Sequence, residues 1–206
     1  MSNPKLFASE EGLVIDASAI ISLNATGYAP LILSTCEVRV VVTNHVLGEL
    51  LDGEKVGYED GTRLQELAAQ RIVEIVDLHE AAKGFYEQLV AGSASDTLDD
   101  GEAATLAFAA ASSNTAAMVD ERKAQRICAE RHPSVQLVSA AEVILHPAIE
   151  SALGKDAQVR AMVDALQKAR MRVPSHLHAG VVALIGSEEA AKCPSLPRSI
   201  RLQKFL

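Results

Sequence analysis

The sequence predicts an α/β/α fold with a mostly parallel central sheet of about five strands, followed by a C-terminal helical extension. Three observations predict it. Short β-branched runs alternate with helix-length segments as far as residue 148. Apolar residues make up 49% of the chain but aromatics only 3%. The core must therefore be built from Val, Ile, Leu and Ala, which suits Ala-rich helices on a Val- and Ile-rich parallel sheet. Beyond residue 150 no strand is evident and only helical patterns continue.

Taken in order, Leu13-Val14-Ile15 is an apolar run that stops at Asp16 and reads as a buried first strand. Ala17 to Ser34 has apolar residues at helical spacing, broken by Gly27 and Pro30, and predicts two short helices. Val38 to Val42 is β-branched and predicts the second strand. Thr43 is placed to cap a helix that runs to about Leu51. Thr62 to Gln70 is helical, Ile72 to Leu78 predicts the third strand, and Ala81 to Val90 predicts a helix. Ala91 to Thr97 is a loop of small residues, after which an Ala-rich helix runs from Asp99 to about Ser112. Ala116 to Val119 is the fourth strand and stops at Asp120. Arg122 to Arg131 is a helix ended by His132-Pro133. Val135 to Val138 is the fifth strand, and a helix starting at Ala140 is interrupted near Pro147. Asp156 to Met171 and His176 to Ile185 predict two more helices. The expected organisation is a domain over residues 1–148 and a helical extension over 149–206. That extension packs on the same body and ends in a basic tail of Lys192, Arg198, Arg201 and Lys204.

The 206 residues suffice for one domain with a full core. A net charge of −8 argues against a purely electrostatic nucleic-acid binder. It leaves room for a nuclease, because bound divalent cations offset acid where a phosphate sits. Cys36, Cys128 and Cys193 are isolated from one another and predict free thiols in a reducing cytoplasm. Met1 to Gly12 is polar and mixed, and no apolar run approaches the roughly 20 residues that span a bilayer. The expectation is a cytoplasmic protein with no membrane partner. No P-loop, GxGxxG or GxSxG element is present.

The carboxylates carry the chemistry. Asp16 and Asp120 each follow a strand, and ligand sites in parallel sheets gather at strand carboxyl ends. The plainer role for each is a helix cap or turn residue. Glu49 lies off the apolar stripe of Val46, Leu47, Leu50 and Leu51, on a cleft or solvent face. Asp96, Asp99, Asp100 and Glu102 form the densest acidic cluster. Asp99 and Glu102 have capping-box spacing, so they are candidates for a helix start as well as for a site. Asp96 and Asp100 read as solvated. Such oxygen ligands suit Mg²⁺ or Mn²⁺, whereas no Cys/His set has soft-metal spacing. His176 and His178, two apart, do not align as ligands on a helix.

Four segments in sequence then carry a resemblance: V-I-D-A-S at 14–18, V-L-G-E-L at 46–50, L-D-D-G-E-A-A-T-L-A-F-A at 98–109, and M-V-D-E-R-K-A at 118–124. From about Leu13 to Ile144 the chain resembles a PIN domain, in a bacterial and archaeal branch near the VapC-type toxins. The resemblance implies a PIN-like α/β/α sandwich and an Mg²⁺- or Mn²⁺-dependent endoribonuclease. Asp16, Glu49, Glu102 and Asp120 are then its catalytic, metal-binding acids. Ser18 is implied to hold a water or a neighbouring acid. Many relatives have Asp where Glu102 stands, so Asp99 is a candidate to share that role. Arg122, Lys123 and Arg126 are candidate RNA phosphate contacts, against the plainer reading of a solvated face. The implied partners are RNA, an antitoxin or other protein, and a second copy in a homodimer. Two features depart from many of these toxins: Glu121-Arg122-Lys123 replaces a short acidic-aromatic segment, and a helical extension follows residue 150. A non-catalytic PIN-fold module that binds RNA or a protein, and a DNA-directed PIN-like nuclease, are the alternatives.

Overall fold

The computed structural model describes residues 10–93 and 95–201. Lys204 of the basic tail lies outside the described residues. Five strands form one sheet: β1 (Gly12–Ile15), β2 (Arg39–Thr43), β3 (Glu74–Val76), β4 (Thr115–Met118) and β5 (Leu137–Val138). Their order is β3-β2-β1-β4-β5. Every pairing is parallel, with Leu13 beside Val40 and Ala116, and Val14 beside Val41 and Ala117. The mostly parallel sheet expected is thus wholly parallel.

The helices are α1 (Ala17–Ala25), α2 (Ala29–Thr35), α3 (Asn44–Glu54), α4 (Asp60–Ala69), α5 (Glu80–Val90) and α6 (Asp100–Ala111). They continue with α7 (Arg122–Arg131), α8 (Ala140–Leu145), α9 (Pro147–Leu153), α10 (Lys155–Lys168), α11 (His178–Ala191) and α12 (Arg198–Arg201). Strand alternation divides the interior into two cores. Leu13, Ile15, Val40, Val42, Ala116 and Met118 face one, and Val14, Val41, Ala117 and Val119 face the other. The second core is closed by α5, α6 and α7, through residues such as Leu89, Leu106 and Ile127. The first is closed by α1 to α4 and by α8 to α11. Leu13, Val14 and Ile15 are fully buried because β1 is central and covered on both faces. Burial of each is worth roughly 1.5–3 kcal/mol relative to exposure. This explains why β1 reads as a continuous apolar run rather than an alternating one.

The residues beyond 150 are not a separate layer. Ala161, Met162, Ala165 and Leu166 of α10 and Val181 of α11 share the core that holds Leu13 and Ile20. Gln158, itself buried, donates from Nε2 to the carbonyls of Ile144 at 2.8 Å and His146 at 3.4 Å. It therefore ties α10 to the junction of α8 and α9.

Several boundaries differ from the sequence-based expectation. Pro30 does not break a helix but sits in the first turn of α2, where a missing N–H costs nothing. The break belongs to Gly27, at φ +74°. The third strand shrinks to Glu74–Val76, because it is an edge strand held only by β2 and entered through Arg71 at φ +59°. The fifth is the opposite edge and keeps only Leu137–Val138. Helix α10 stops at Lys168, short of Met171, where Arg170 turns the chain at φ +53°. His176 falls in a 3-10 turn (Ser175–Leu177) rather than a helix. The helix that follows runs past Ile185 to Ala191, with a break at Gly186, φ +79°. Among the described residues, no single helix is long and apolar enough to cross a membrane.

Candidate active site

The strand order changes direction between β1 and β4, since the chain moves outward from β1 to β3 and returns to β4 on the other side. Open parallel sheets bind ligands outside the strand ends at such a switch point. Asp16 and Asp120 stand on its two sides. Asp16 directly follows β1, and its backbone N–H donates to the Met118 carbonyl of β4 at 3.1 Å. Asp120 follows Val119 at the end of β4. Both are buried, at 1% and 5% exposure.

Each of these acids also accepts from a helix start. Asp16 caps α1, its Oδ1 accepting from the Ala19 N–H at 2.7 Å. The exposed Ser18 hydroxyl donates to both Asp16 oxygens, at 3.2 and 3.0 Å. Asp120 Oδ1 accepts from the Ala140 N–H at the first turn of α8, at 3.0 Å. Asp99 caps α6, accepting from the Glu102 N–H at 2.8 Å. Three helix N-termini therefore supply amides and partial positive charge to the acids. The capping role and the site role coincide in the same side chains.

Glu49 comes from α3, and its carboxylate lies over the first turn of α6. A Cβ at Gly101 would run into Glu49 Oε2. The carboxylate occupies space that glycine leaves open, and a methyl there would push the flexible end of Glu49 aside. Glu102, one residue on, is half-buried and turned toward the same space. Asp16, Ser18, Glu49, Asp99, Glu102, Glu121 and Lys123 line one open cleft of about 360 Å³. Asp120 does not line that cleft. It borders a neighbouring groove of about 660 Å³, near enough to Asp16 for the two charges to interact.

Burial and like charge act together on these groups. Burial, then the Asp120 charge, pushes the Asp16 carboxyl well above its ordinary range, with Glu102 adding a smaller push. Burial raises Asp120 to about 6, partly countered by the Ala140 amide and the nearby Ser22 hydroxyl. Its Oδ2 is buried and has no hydrogen-bond partner. Burial, then Asp99 and Glu121, lifts Glu102 to about 7, with the Asp99 amide and Lys123 acting against it. Burial, then Asp99 and Asp100, also raises Glu49. Among the described residues, no three Asp, Glu, His or Cys side chains stand close enough to form a ready-made metal cage. The acids ring a cleft rather than close on a point.

The three basic candidates separate. Lys123 lines the acidic cleft and Arg122 lines the larger groove. Arg126 lines neither; it donates to Glu130 at 3.0 Å and to the Ser95 carbonyl at 3.0 Å. Asp96 and Asp100 are exposed, Asp96 bonded to Ser93 and Ser95, and Asp100 accepting from Tyr86. Sequence reasoning gave no role to Gly101, Glu121 or Arg172. Gly101 lies inside the L-D-D-G-E-A segment, and its place immediately before Glu102 is the one local sign of its part in the site. Glu121 pairs with Arg172 across 51 residues, at 3.0 Å. No local pattern announces that pair.

The fold and site define an α/β protein with an acidic cleft at the switch point of a parallel sheet. The PIN-domain family model matches residues 12–187, and the chain belongs to the PIN-domain family. Its fold is therefore of nuclease type. The matched span runs beyond β5 through α10 and into α11. No curated protein and no solved structure matches the chain.

Proposed function

We propose that this protein is an Mg²⁺- or Mn²⁺-dependent endoribonuclease that hydrolyses RNA phosphodiester bonds. The observation that carries the proposal is the pair Asp16 and Asp120, buried at adjacent strand ends, with Asp120 Oδ2 lacking any partner. A buried carboxylate oxygen without a donor is costly. The donors lining the cleft are carboxylates with one serine hydroxyl and no thiol or imidazole, a set that suits a hard divalent cation. Membership of a family that typically uses divalent metals supports the same reading.

In this reading Asp16, Glu49, Glu102 and Asp120 hold the cation, with Asp99 beside them. The cation supplies Lewis acidity to the phosphodiester and to an attacking water. Ser18 fixes the Asp16 carboxylate by donating to both its oxygens. Lys123, on the cleft wall, is placed to meet a phosphate oxygen. The helix starts at α1, α6 and α8 keep the acids oriented before substrate arrives. A toxin role within a toxin–antitoxin pair is the finer form of the proposal, with growth arrest on expression as its readout. Cytoplasmic residence and homodimer formation belong to the same form.

A second reading is a non-catalytic PIN-fold module that binds RNA or a protein. It is favoured by the absence, among the described residues, of three acids already close enough to cage a metal. Cleavage of labelled RNA with and without Mn²⁺, by wild type and Asp16→Asn, separates the two. The nuclease reading expects Mn²⁺-dependent cutting that Asp16→Asn abolishes. Full activity in the variant, or cutting in EDTA, sinks it. A matched DNA strand in the same assay assigns the substrate.

A further inference from the structure

We propose that the groove behind Asp120 is the track on which the RNA strand lies beyond the acidic cleft, with Arg172 as a phosphate contact. The direction of that track rests on the nuclease reading, while its binding chemistry does not. The groove encloses about 660 Å³. That lies inside the roughly 300–1,000 Å³ typical of ligand sites. It borders Asp120 at one end, so a strand in it continues directly from the acids.

Its cations come from separate parts of the chain. Arg122 projects from the start of α7 and Arg172 from the link after α10, with His176 on the 3-10 turn beyond as a polar neighbour. Its apolar wall is Leu137 and Pro174 over the buried Val173, which carry no aromatic face, so recognition there falls to the guanidinium groups taking phosphates. Two acids border the groove. Asp120 belongs to the site. Glu142 accepts from the Ser139 N–H at 3.3 Å and so closes the capping box of α8. Arg122 and Arg172 are matched in number by Asp120 and Glu142, so the groove offers a polyanion two guanidinium forks at fixed places rather than a net positive field.

Arg172 links groove and cleft. In the free protein it pairs with Glu121 at 3.0 Å, with side chains 54% and 34% exposed. Glu121 also lines the acidic cleft. An exposed pair of this kind contributes little, so an incoming phosphate competes readily for the guanidinium. The residue that would take the phosphate is thus held at the boundary between the two spaces.

The test is fluorescence anisotropy of a labelled oligouridine strand with the full chain in EDTA, where nothing is cut. Arg172→Ala is expected to weaken binding about three- to tenfold and to reduce the slope of log K against log salt by about one. Glu121→Gln breaks the same ion pair but leaves the cation, and is expected to bind more tightly. A merely structural role for the pair predicts losses in both variants. Arg122→Ala, at an exposed position, provides a second loss of the same kind. Unchanged affinity and slope in Arg172→Ala, equal weakening by Glu121→Gln, undetectable binding by wild type, or preference for oligoglutamate over RNA would each overturn the proposal. Cleavage in Mn²⁺ is scored separately. Arg172-dependent binding without cutting removes the nuclease reading and keeps the track. Cutting with an Arg172-independent KM does the reverse.

Discussion

Asp16 and Asp120 repel each other across the gap between two neighbouring strands, and the fold holds them there. In the folded state Asp120 titrates at about 6 and Glu102 at about 7, against ordinary values of 3.8 and 4.5. A raised folded pKa means that the folded state binds the proton more tightly. The resulting stability is fully present below the ordinary carboxylate values and is lost as pH rises through about 6 and 7. The metal-free protein should therefore melt at a lower temperature near pH 8 than near pH 5. Mn²⁺ should raise the melting temperature more at the higher pH, since it binds the ionised acids. A scan with the opposite pH order contradicts this account of the acids. Gly101 gives a second prediction at this scale. Gly101→Ala adds a methyl where Glu49 Oε2 lies, yet alanine is the better helix former. Thermal stability should hold while Mn²⁺ affinity falls about tenfold, equivalent to about 1.4 kcal/mol. Calorimetric titration of the variant checks it, and wild-type affinity would show that Glu49 has no part in the site.

At the scale of elements, the site is a consequence of how strands hand over to helices. Helices α1 and α8 begin immediately beyond strand ends, and α6 brings a third N-terminus beside α1. Asp16 and Asp120 were legible in the sequence because a strand that stops at an acid is a local pattern. Glu49 was legible only through the resemblance. Its position depends on α3 crossing α6 at Gly101, a contact between segments about fifty residues apart, and no local periodicity encodes it. Arg172 was not legible for the same reason. The edge strands were overdrawn because hydrophobic runs such as Ile72 to Leu78 mark burial, while strand length at an edge depends on a single neighbour. Gln158 shows how an element beyond the strands is fixed. Gln158→Ala removes two bonds from Nε2 and leaves the carbonyls of Ile144 and His146 without that donor. The expected cost is about 2 kcal/mol. A lowered urea midpoint at unchanged m-value is the expected result, and an unmoved midpoint would show that packing alone holds α10.

On the scale of the whole molecule, the helices after residue 150 complete the core under one face of the sheet, and the link between α10 and α11 forms one wall of the groove beside Asp120. The same segment thus serves packing through Met162 and Leu166, and the site's surroundings through Arg172. In a chain of net charge −8, Lys123 on the cleft wall and Arg122 and Arg172 in the adjoining groove are the basic groups beside the acids. The central claim is that Asp16 and Asp120, with the acids beside them, bind a divalent cation. Isothermal titration of Mn²⁺ into the full chain near pH 8 tests it most directly. The account predicts saturable binding by wild type that is lost in both Asp16→Asn and Asp120→Asn, with the variants still folded. Absence of Mn²⁺ binding by wild type at millimolar concentration, or equal binding by the variants, would contradict it.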